Sequence, residues 1–379
     1  MRYTALRDVC EINMGQSPDS SSYNEEGRGI PFFQGNADFG ERNPVTRVWC
    51  DAPSKIANED DILISVRAPI GAVNYASETC CIGRGLAAIT PNLNRVSSEY
   101  IFWLLKGKNA ELNSKGTGST FKAINRKALE EIQIPAISLE EQAAYAANLE
   151  AVYKIIQMRQ QQLSVLDDLT KARFVEMFGC GKYETVKASD VCDFITKGTT
   201  PPGDEIVEDY KEGLIPFLKV YNLSFSGELL FDTTPQYISR EVHDGKLARS
   251  KVYPNDVLMN IVGPPLGKFS LVSDEFAEWN INQAIAIFRA KEQVLPRYLM
   301  AALMQPDVLR PFLEQAVGIR QLNLSLEQCR NLEFPLPSLE EQRVFVDFSA
   351  KIDKSKSVIQ KSLDETQLLF DSLMQKYFG

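Results

Sequence analysis

The sequence predicts an α+β protein in which one unit, a globular α/β domain followed by a long helix, occurs twice. The first observation is a repeated segment. Pro135 opens P-A-I-S-L-E-E-Q and a helix-compatible run to Gly179, and Pro335 opens P-L-P-S-L-E-E-Q and a similar run to Gly379. The second observation is that the stretches before these segments contain the same parts in the same order. A repeat of about 200 residues far exceeds the 20–50 residues of solenoid repeats, so a complete domain with its helix is duplicated.

The duplication sets the domain limits. We assign residues 1–131 to the first domain, 132–183 to the first long helix and its linker, 184–331 to the second domain and 332–379 to the second long helix. Residues 81–89 are predicted to form one apolar strand with Arg84 at its start. The stretches that match are Asp8-Val9-Cys10 with Asp190-Val191-Cys192, Gly15–Pro18 with Gly198–Pro201, Ile30-Pro31-Phe32 with Ile215-Pro216-Phe217, and Gly83-Arg84 with Asn282-Gln283.

A capping box marks the start of each long helix. Ser138 or Ser338 follows a proline-containing turn, and Glu141 or Glu341 stands three residues later. The serine hydroxyl accepts from a free helical N–H group while the glutamate reaches back to the cap, and acidic residues suit the positive end of the helix dipole. Neither Gly nor Pro interrupts the run that follows. The sequence therefore predicts two helices of roughly 40 residues, about 60 Å each at ~1.5 Å per residue.

Both long helices carry an apolar stripe with the 3–4 spacing of a buried helix face. Arg159 interrupts the first stripe, and Ser355 and Thr366 fill places in the second. One such helix cannot bury its stripe alone, so we expect the two to pack together; the alternative is two separate surface helices, each on its own domain. The stripe residues are Leu149, Val152, Ile156, Leu163, Leu166 and either Leu169 or Thr170 in the first helix, and Ile352, Ile359, Leu363, Phe370, Leu373 and Tyr377 in the second.

The composition is that of a globular protein with a large core, since 44% of the residues are hydrophobic and 9% are aromatic. No run approaches the 18 apolar residues of a membrane span, and the N-terminus lacks the apolar core of a signal peptide. We therefore expect a soluble, cytoplasmic protein. The seven cysteines are scattered without a C-x-x-C pair. We expect free buried thiols, with Cys80 and Cys81 among them, rather than disulfides or zinc ligands.

The formal net charge of −9 counts against nucleic-acid binding, because that affinity depends on the neutralisation of phosphates. Many acidic residues nevertheless lie together, in the loop of residues 204–209 and at the helix starts. A basic face is therefore compatible with the sequence, and so are protein partners.

The sequence carries no recognisable catalytic motif. The single histidine, His243, has no nucleophile signature near it and is predicted to lie in a surface loop. Gly263–Lys268 departs from the phosphate-loop pattern G-x-x-x-x-G-K-[ST], and its prolines lack the N–H groups that such a loop needs. Asp209-Tyr210-Lys211 has no acidic partner for a nuclease site. We therefore predict a binding protein rather than an enzyme.

A resemblance to a known family rests on two duplicated motifs. Ile134–Gln142 and Phe334–Gln342 each open a long helix after a domain, and Gly83-Arg84-Gly85 matches Asn282-Gln283-Ala284 in position. With these motifs the chain resembles, over its full length, the specificity (S) subunit of type I restriction-modification systems. The first copy departs by Ala136-Ile137 in place of Leu336-Pro337, which alters the entry into the helix. The resemblance implies two target recognition domains separated by two long helices that pack as an antiparallel coiled coil.

The resemblance also implies a function. In that family the S subunit is not catalytic, each recognition domain reads one half of a bipartite double-stranded DNA target, and the helices set the spacing between the halves. The helices also dock two methylation (M) subunits, which hold S-adenosylmethionine, and restriction (R) subunits join with ATP and Mg²⁺. No cofactor is expected in this chain itself, and no membrane.

The candidate DNA contacts are polar loop residues, because Arg, Lys, Asn, Gln, Ser and Thr side chains can bond to base edges or phosphates. For each of them a structural role is an equal alternative. They are Gln34, Arg67, Arg84, Ser119, Thr120, Lys122, Asn125 and Arg126 in the first domain, and Lys219, Asn222, Asn260, Lys268, Asn282, Gln283, Arg320, Gln321 and Asn323 in the second. The candidates for helix capping and subunit docking are Ser138, Glu141, Gln142, Ser338, Glu341 and Gln342.

Two other functions stay open from the residues alone. One is the recognition subunit of a type II-like methylase-nuclease, and the other is a tandem-domain scaffold whose helices pair with another protein and whose domains do not bind DNA. A split DNA motif favours the S subunit, a continuous motif favours the type II-like protein, and no motif favours the scaffold.

Overall fold

A computed structural model describes residues 2–116, 122–179, 181–314 and 322–379. The chain forms two compact units: the first contains residues 1–160 together with 361–379, and the second contains residues 161–360. Each unit therefore holds one globular domain and one half of each long helix.

Each domain contains a four-stranded, a five-stranded and a two-stranded sheet. In the first domain the four-stranded sheet has the strand order Cys10–Met14, Leu86–Pro91, Ile62–Ser65, Val73–Tyr75. The five-stranded sheet has the order Tyr23–Asn24, Trp49–Cys50, Ile30–Phe33, Cys80–Ile82, Ile56–Ala57. The two-stranded sheet pairs Tyr3–Ala5 with Gln133–Pro135. In the second domain the four-stranded sheet has the strand order Cys192–Lys197, Ile285–Ala290, Val257–Asn260, Phe269–Leu271. The five-stranded sheet has the order Ile206–Val207, Tyr237–Ile238, Ile215–Leu218, Trp279–Ile281, Lys251–Val252. The two-stranded sheet pairs Thr185–Lys187 with Glu333–Pro335.

The strand directions agree between the domains as well. All pairs in the four-stranded sheets are antiparallel. Each five-stranded sheet has one parallel pair at the same place, Ile30–Phe33 with Cys80–Ile82 and Ile215–Leu218 with Trp279–Ile281. The duplication of an α/β domain is thus confirmed by the topology.

Two short helices, Ser98–Gly107 and Pro296–Leu303, pack against the four-stranded sheets and bury large aromatic side chains. Ser97 rather than the following serine caps the first of them, because its hydroxyl accepts from the N–H of Tyr100 at 3.2 Å. The other short helices are Asn109–Ser114, Arg126–Glu130, Ala188–Val191, Arg240–Asp244, Pro306–Glu314 and Leu326–Arg330, and turns of 3₁₀ helix occur at Leu6–Asp8, Ser20–Ser22, Asn36–Asp38, Gly203–Glu205, Val220–Asn222 and Ala248–Ser250.

The prediction of one continuous strand over residues 81–89 is wrong. Cys80–Ile82 belongs to the five-stranded sheet and Leu86–Pro91 to the four-stranded sheet, and residues 83–85 form the turn between them. Cys80–Ile82 and the first four residues of Leu86–Pro91 are all buried, so their hydrophobicity gives no sign of the change of sheet. Arg84 therefore lies in a turn that joins two sheets, and the same turn recurs at residues 282–284.

The long helices Leu139–Phe178 and Leu339–Phe378 have 40 residues each, as predicted. Both capping boxes form. The Glu141 N–H donates to Ser138 Oγ at 3.2 Å, while Glu141 Oε2 accepts from the Ser138 N–H at 3.0 Å. The second helix repeats these bonds between Ser338 and Glu341 at 3.4 and 3.0 Å.

The two helices pack against each other antiparallel, as the resemblance implies. In the first unit Tyr145, near the start of the first helix, stacks on Tyr377, near the end of the second, with ring centroids 3.9 Å apart. In the second unit Phe174, near the end of the first helix, meets Phe345, near the start of the second, at 5.4 Å. The alternative of two separate surface helices is thereby ruled out.

The repeated Phe-Gly that ends each helix has a packing role. Phe378 lies against Tyr100 of the first domain at 5.3 Å, and Phe178 lies against Tyr298 of the second at 5.1 Å. Both phenylalanines are 2% exposed. Each globular domain is therefore packed against the end of the helix that follows the other domain in the sequence.

The structure decides one open position of the stripe and corrects another. Of the two alternatives in the first helix, Leu169 is 44% exposed and Thr170 is half-buried, so Thr170 occupies the stripe position. Ser355 is exposed, and the position between the two helices, the helix seam, is occupied by Lys356, which is 7% exposed. The Lys356 ammonium lies 2.7 Å from Asp167 of the first helix and 3.2 Å from Glu228 of the second domain. A charged side chain in the seam is tolerated because two carboxylates neutralise it.

The prediction that His243 is a surface residue is wrong. It belongs to the helix Arg240–Asp244 and is fully buried. Its Nδ1 lies 3.0 Å from the Asn280 amide nitrogen, and its Nε2 lies 3.7 Å from Glu278. Burial lowers the pKa of His243 below its usual 6.5. The thiol prediction is confirmed for the six described cysteines, which are all free and buried.

Candidate nucleic-acid interface

Four of the candidate residues of the first domain come together at one edge, formed where several strands end. Gln34 follows the strand Ile30–Phe33, Arg67 follows the strand Ile62–Ser65, Arg84 lies in the turn between the sheets, and Lys122 precedes the helix Arg126–Glu130. All four are exposed. We call these four residues the first loop edge.

Main-chain hydrogen bonds connect the four positions. The Gly85 N–H donates to the Gln34 carbonyl at 3.1 Å, and the Val66 N–H donates to the Gly85 carbonyl at 2.9 Å. The Ala68 N–H donates to the Lys122 carbonyl at 3.1 Å. The edge is therefore held by the backbone, which leaves its side chains free to contact a ligand.

The second domain builds the corresponding edge from Lys219, Gln283 and Asn323. The Asn282 N–H donates to the Leu218 carbonyl at 3.0 Å, and the Ile261 N–H donates to the Ala284 carbonyl at 2.8 Å. Gln283 and Asn323 are exposed and Lys219 is half-buried. We call these three residues the second loop edge.

The two edges differ in charge. The first has three cationic side chains and one amide, whereas the second has two amides and one half-buried lysine. Lys268, also a candidate, is half-buried and its ammonium lies 5.8 Å from the ring centroid of Phe225. Arginine and lysine suit phosphates and guanine, and amides suit adenine, so one frame presents two chemically different surfaces.

Two candidates are buried and bonded within the protein. Asn222 is fully buried, accepts from the Lys219 N–H at 2.8 Å and donates to the Leu230 carbonyl at 3.2 Å. Asn260 is fully buried, accepts from the Lys268 N–H at 2.6 Å and donates to the Pro265 carbonyl at 3.0 Å. These side chains shape the loops and have no surface for a base, so we remove them from the proposed contacts.

Three more candidates have structural bonds or lie elsewhere. Asn125 caps the helix Arg126–Glu130 by accepting from the Ala128 N–H at 2.9 Å, and Asn282 Oδ1 accepts from the Ala284 N–H at 3.2 Å. Arg126 is paired with Glu130 at 2.8 Å and lines a depression with Cys10 and Pro91. Since Cys10 pairs with Pro91 at the opposite end of the sheet from Met14 and Ala87, Arg126 lies away from Arg84, and we remove it as well from the proposed contacts. Ser119, Thr120, Arg320 and Gln321 lie outside the described residues.

The glutamines at the helix starts attach each domain to its helix. Gln142 is 2% exposed; its Oε1 accepts from the Ser97 N–H at 2.8 Å and its Nε2 donates to the Ile137 carbonyl at 3.1 Å. Gln342 is fully buried and makes the same bonds to the Leu295 N–H and the Pro337 carbonyl, at 2.8 and 2.9 Å. Burial removes both glutamines from any exposed docking surface, whereas Ser138 stays exposed.

Sequence reasoning missed the charged contacts that tether the domain loops to the helices. In the first unit Arg42 pairs with Glu150 of the first helix at 2.6 Å and with Glu99 at 2.8 Å, and its guanidinium lies 4.6 Å from the ring centroid of Phe102. Burial lowers the pKa of Arg42, and the two glutamates raise it by more. In the second unit Glu228 serves the same purpose by pairing with Lys356. No local motif marks these residues, because each contact joins distant parts of the chain.

The described residues provide neither a metal site nor a membrane-spanning helix. Within residues 2–116, 122–179, 181–314 and 322–379, His, Cys, Asp and Glu side chains do not gather in groups of three or more that could hold a metal ion. Over the same part of the chain, every helix is too short or too polar to cross a membrane.

Solved structures share the architecture. The S subunit of a type I restriction-modification system from M. genitalium has a TM-score of 0.59 at 14% identity, covering 100% of this chain and 96% of that one. A structure of a type I system solved for its complex assembly and conformational transition has a TM-score of 0.58 at 18% identity, covering 100% and 97%. At these identities the likeness concerns the fold, which defines a class of proteins with two α/β domains and two long helices.

Similar proteins and a family model show, beyond the fold, the family to which the chain belongs. The EcoBI specificity subunit of a type I restriction enzyme from Escherichia coli is 22% identical, covering 99% of this chain and 84% of its own length. A provisionally named type I specificity subunit, MjaX from Methanocaldococcus jannaschii, is 44% identical over 161 residues, which span 42% of this chain and only 38% of the relative. The profile described as Type I restriction modification DNA specificity domain matches residues 2–167 and 181–366. The chain belongs to this family.

Proposed function

We propose that this chain is the DNA-recognition subunit of a type I restriction-modification complex and is not itself catalytic. Each domain reads one half of a bipartite target, and the two long helices set the spacing between the halves. The observation that carries this proposal is the pair of loop edges, in which one main-chain frame presents two different sets of exposed polar side chains. Two different sets imply two different half-sequences.

The acidic composition of the chain fits a complex in which other subunits provide much of the DNA binding. With a net charge of −9, the chain has little capacity to hold DNA by phosphate neutralisation alone. We propose that the methylation subunits supply much of the DNA clamp and hold S-adenosylmethionine, while restriction subunits supply the ATP- and Mg²⁺-dependent chemistry.

The helices offer a surface for two methylation subunits. In the first unit Leu368 and Leu369 are 70% and 51% exposed, and in the second unit Val358 and Val165 are 71% and 57% exposed. Exposed apolar patches that are rimmed by polar residues mark protein–protein interaction sites. Their presence in both units supports one docked subunit for each unit.

The experiment is to purify the chain with a candidate adenine methyltransferase and to map methylated bases in genomic DNA. We expect a split motif, two short half-sites with a fixed gap, that depends on the presence of this chain. A continuous motif would support the type II-like recognition subunit instead. If no complex forms and no motif appears, the scaffold is the better account.

A further inference from the structure

Arg84 and Gln283 occupy one and the same position in the duplicated frame. Each is the central residue of the turn that joins the five-stranded to the four-stranded sheet. The Arg84 N–H donates to the Ser17 hydroxyl and the Gln283 N–H to the Thr200 hydroxyl, both at 3.3 Å. The preceding loop repeats as well, since Gln16 N–H donates to the Ile82 carbonyl and Thr199 N–H to the Ile281 carbonyl.

The turn is closely packed underneath its exposed side chain. A Cβ on Gly83 would lie 3.0 Å from Gln34 Cα, and one on Gly85 would collide with the Gln34 carbonyl oxygen. A Cβ on Gly15 would likewise collide with the Gly83 carbonyl oxygen. The backbone at residue 84 is therefore fixed in place, and only its side chain can vary without rebuilding the turn.

Both side chains are exposed, and neither makes an ion pair or a side-chain hydrogen bond with the residues that the structure describes. A guanidinium that is not held by a carboxylate keeps its full set of donors for a ligand. The same is true of the amide of Gln283, which has both a donor and an acceptor. Preorganised backbone and unengaged side chains are what direct base recognition requires.

We propose that residue 84 and its counterpart 283 each read one base pair, with Arg84 selecting guanine in the first half-site and Gln283 selecting adenine in the second. The assignment follows from donor geometry. Arginine donates two parallel bonds to O6 and N7 of guanine, whereas glutamine donates to N7 and accepts from N6 of adenine. This inference deepens the proposed function and rests on it.

The test uses reciprocal substitutions in the complex with its methyltransferase. Arg84→Gln should change one guanine of the first half-site to adenine in the methylation motif and leave the second half-site unchanged. Gln283→Arg should make the opposite change in the second half-site only. On oligonucleotides carrying each of the four base pairs at that position, preference should shift by roughly ten- to one-hundred-fold.

Arg126→Gln is the matched control, because Arg126 is an exposed arginine of the same domain that lies at the other end of the sheet and is paired with Glu130. It should leave the motif unchanged. If the wild-type complex gives no split motif, the proposed function itself fails. If the wild-type motif is split but Arg84→Gln keeps the original base, or loses activity equally on all four base pairs while the complex stays intact, the assignment of Arg84 is overturned.

Discussion

Lys356 of the second long helix donates to Asp167 of the first across the helix seam, with a nitrogen–oxygen distance of 2.7 Å. The same ammonium lies 3.2 Å from Glu228 in the second domain, so one buried cation joins both helices and a domain loop. Burial lowers the pKa of Lys356, but the bond to Asp167 and the charge of Glu228 raise it by more, and the net shift is upward. The lysine is therefore charged at neutral pH.

Removal of this cation should destabilise the second unit. We expect Lys356→Met to reduce the free energy of unfolding by about 1–2 kcal/mol, a value below that of a fully buried pair because Asp167 and Glu228 stay partly solvated. Denaturant titration followed by circular dichroism measures the change. Lys354→Met, an exposed lysine on the same helix, should change stability by less than about 0.5 kcal/mol. Equal effects of both substitutions would count against a stabilising role of the contacts of Lys356 with Asp167 and Glu228.

Gln342 should matter for stability rather than for DNA contact. Gln342→Ala leaves the Leu295 N–H and the Pro337 carbonyl without their buried partner, which should cost about 1–3 kcal/mol. The exposed Gln161→Ala is the control and should be nearly neutral. The measurement is again the free energy of unfolding, together with the methylation motif, which should not change. An altered base preference in the Gln342 variant would contradict a purely structural role.

His243 should make the second unit sensitive to mild acid. Because its pKa in the folded protein is below 6.5, the unfolded chain binds the proton more readily, and stability is lost as pH falls below 6.5. Lys251 and Arg240 oppose its protonation, while Glu278 and Asp244 favour it. We expect His243→Gln to lose less stability than wild type between pH 7.5 and 5.5, as measured by thermal unfolding. Parallel pH profiles of the two proteins would show that His243 contributes nothing to this sensitivity.

The exposed leucines of the second helix should bind a methylation subunit. Leu368→Gln combined with Leu369→Gln should lower the number of bound methylation subunits from two to one, because only the first unit is altered. Size-exclusion chromatography with light scattering measures the stoichiometry. Leu93→Gln is the control, since Leu93 is 68% exposed but lies in a loop of the first domain. A complex with two bound subunits in the double variant would exclude this surface.

The sequence predicted the parts of the fold that depend on repetition and local chemistry. The capping residues Ser138 and Ser338, the 40-residue helices and the duplicated domain plan follow from patterns that are contiguous in the chain. The change of sheet at Arg84 could not be predicted, because the strands on both sides are equally apolar. The predictions for Ser355 and His243 were wrong because the burial of Lys356 and of His243 depends on partners, Asp167 and Asn280, that are far away in the sequence.

For the candidate site, residue chemistry identified the exposed Gln34, Arg67, Arg84 and Lys122 that form the first loop edge. It did not separate them from Asn222 and Asn260, because an asparagine that shapes a loop and one that faces a ligand have the same side chain and similar neighbours in the sequence. Only the burial and the internal hydrogen bonds of the two asparagines distinguish them.

The turn at Gly83–Gly85 is held by hydrogen bonds of its backbone, and this has an evolutionary consequence. A substitution at residue 84 leaves the stabilising contacts intact, so mutations there are nearly neutral for folding. If this residue selects a base, a lineage can acquire a new target through one codon change while its helices keep the same partners. The recognised sequence would then change without any compensating mutation in the partner subunits.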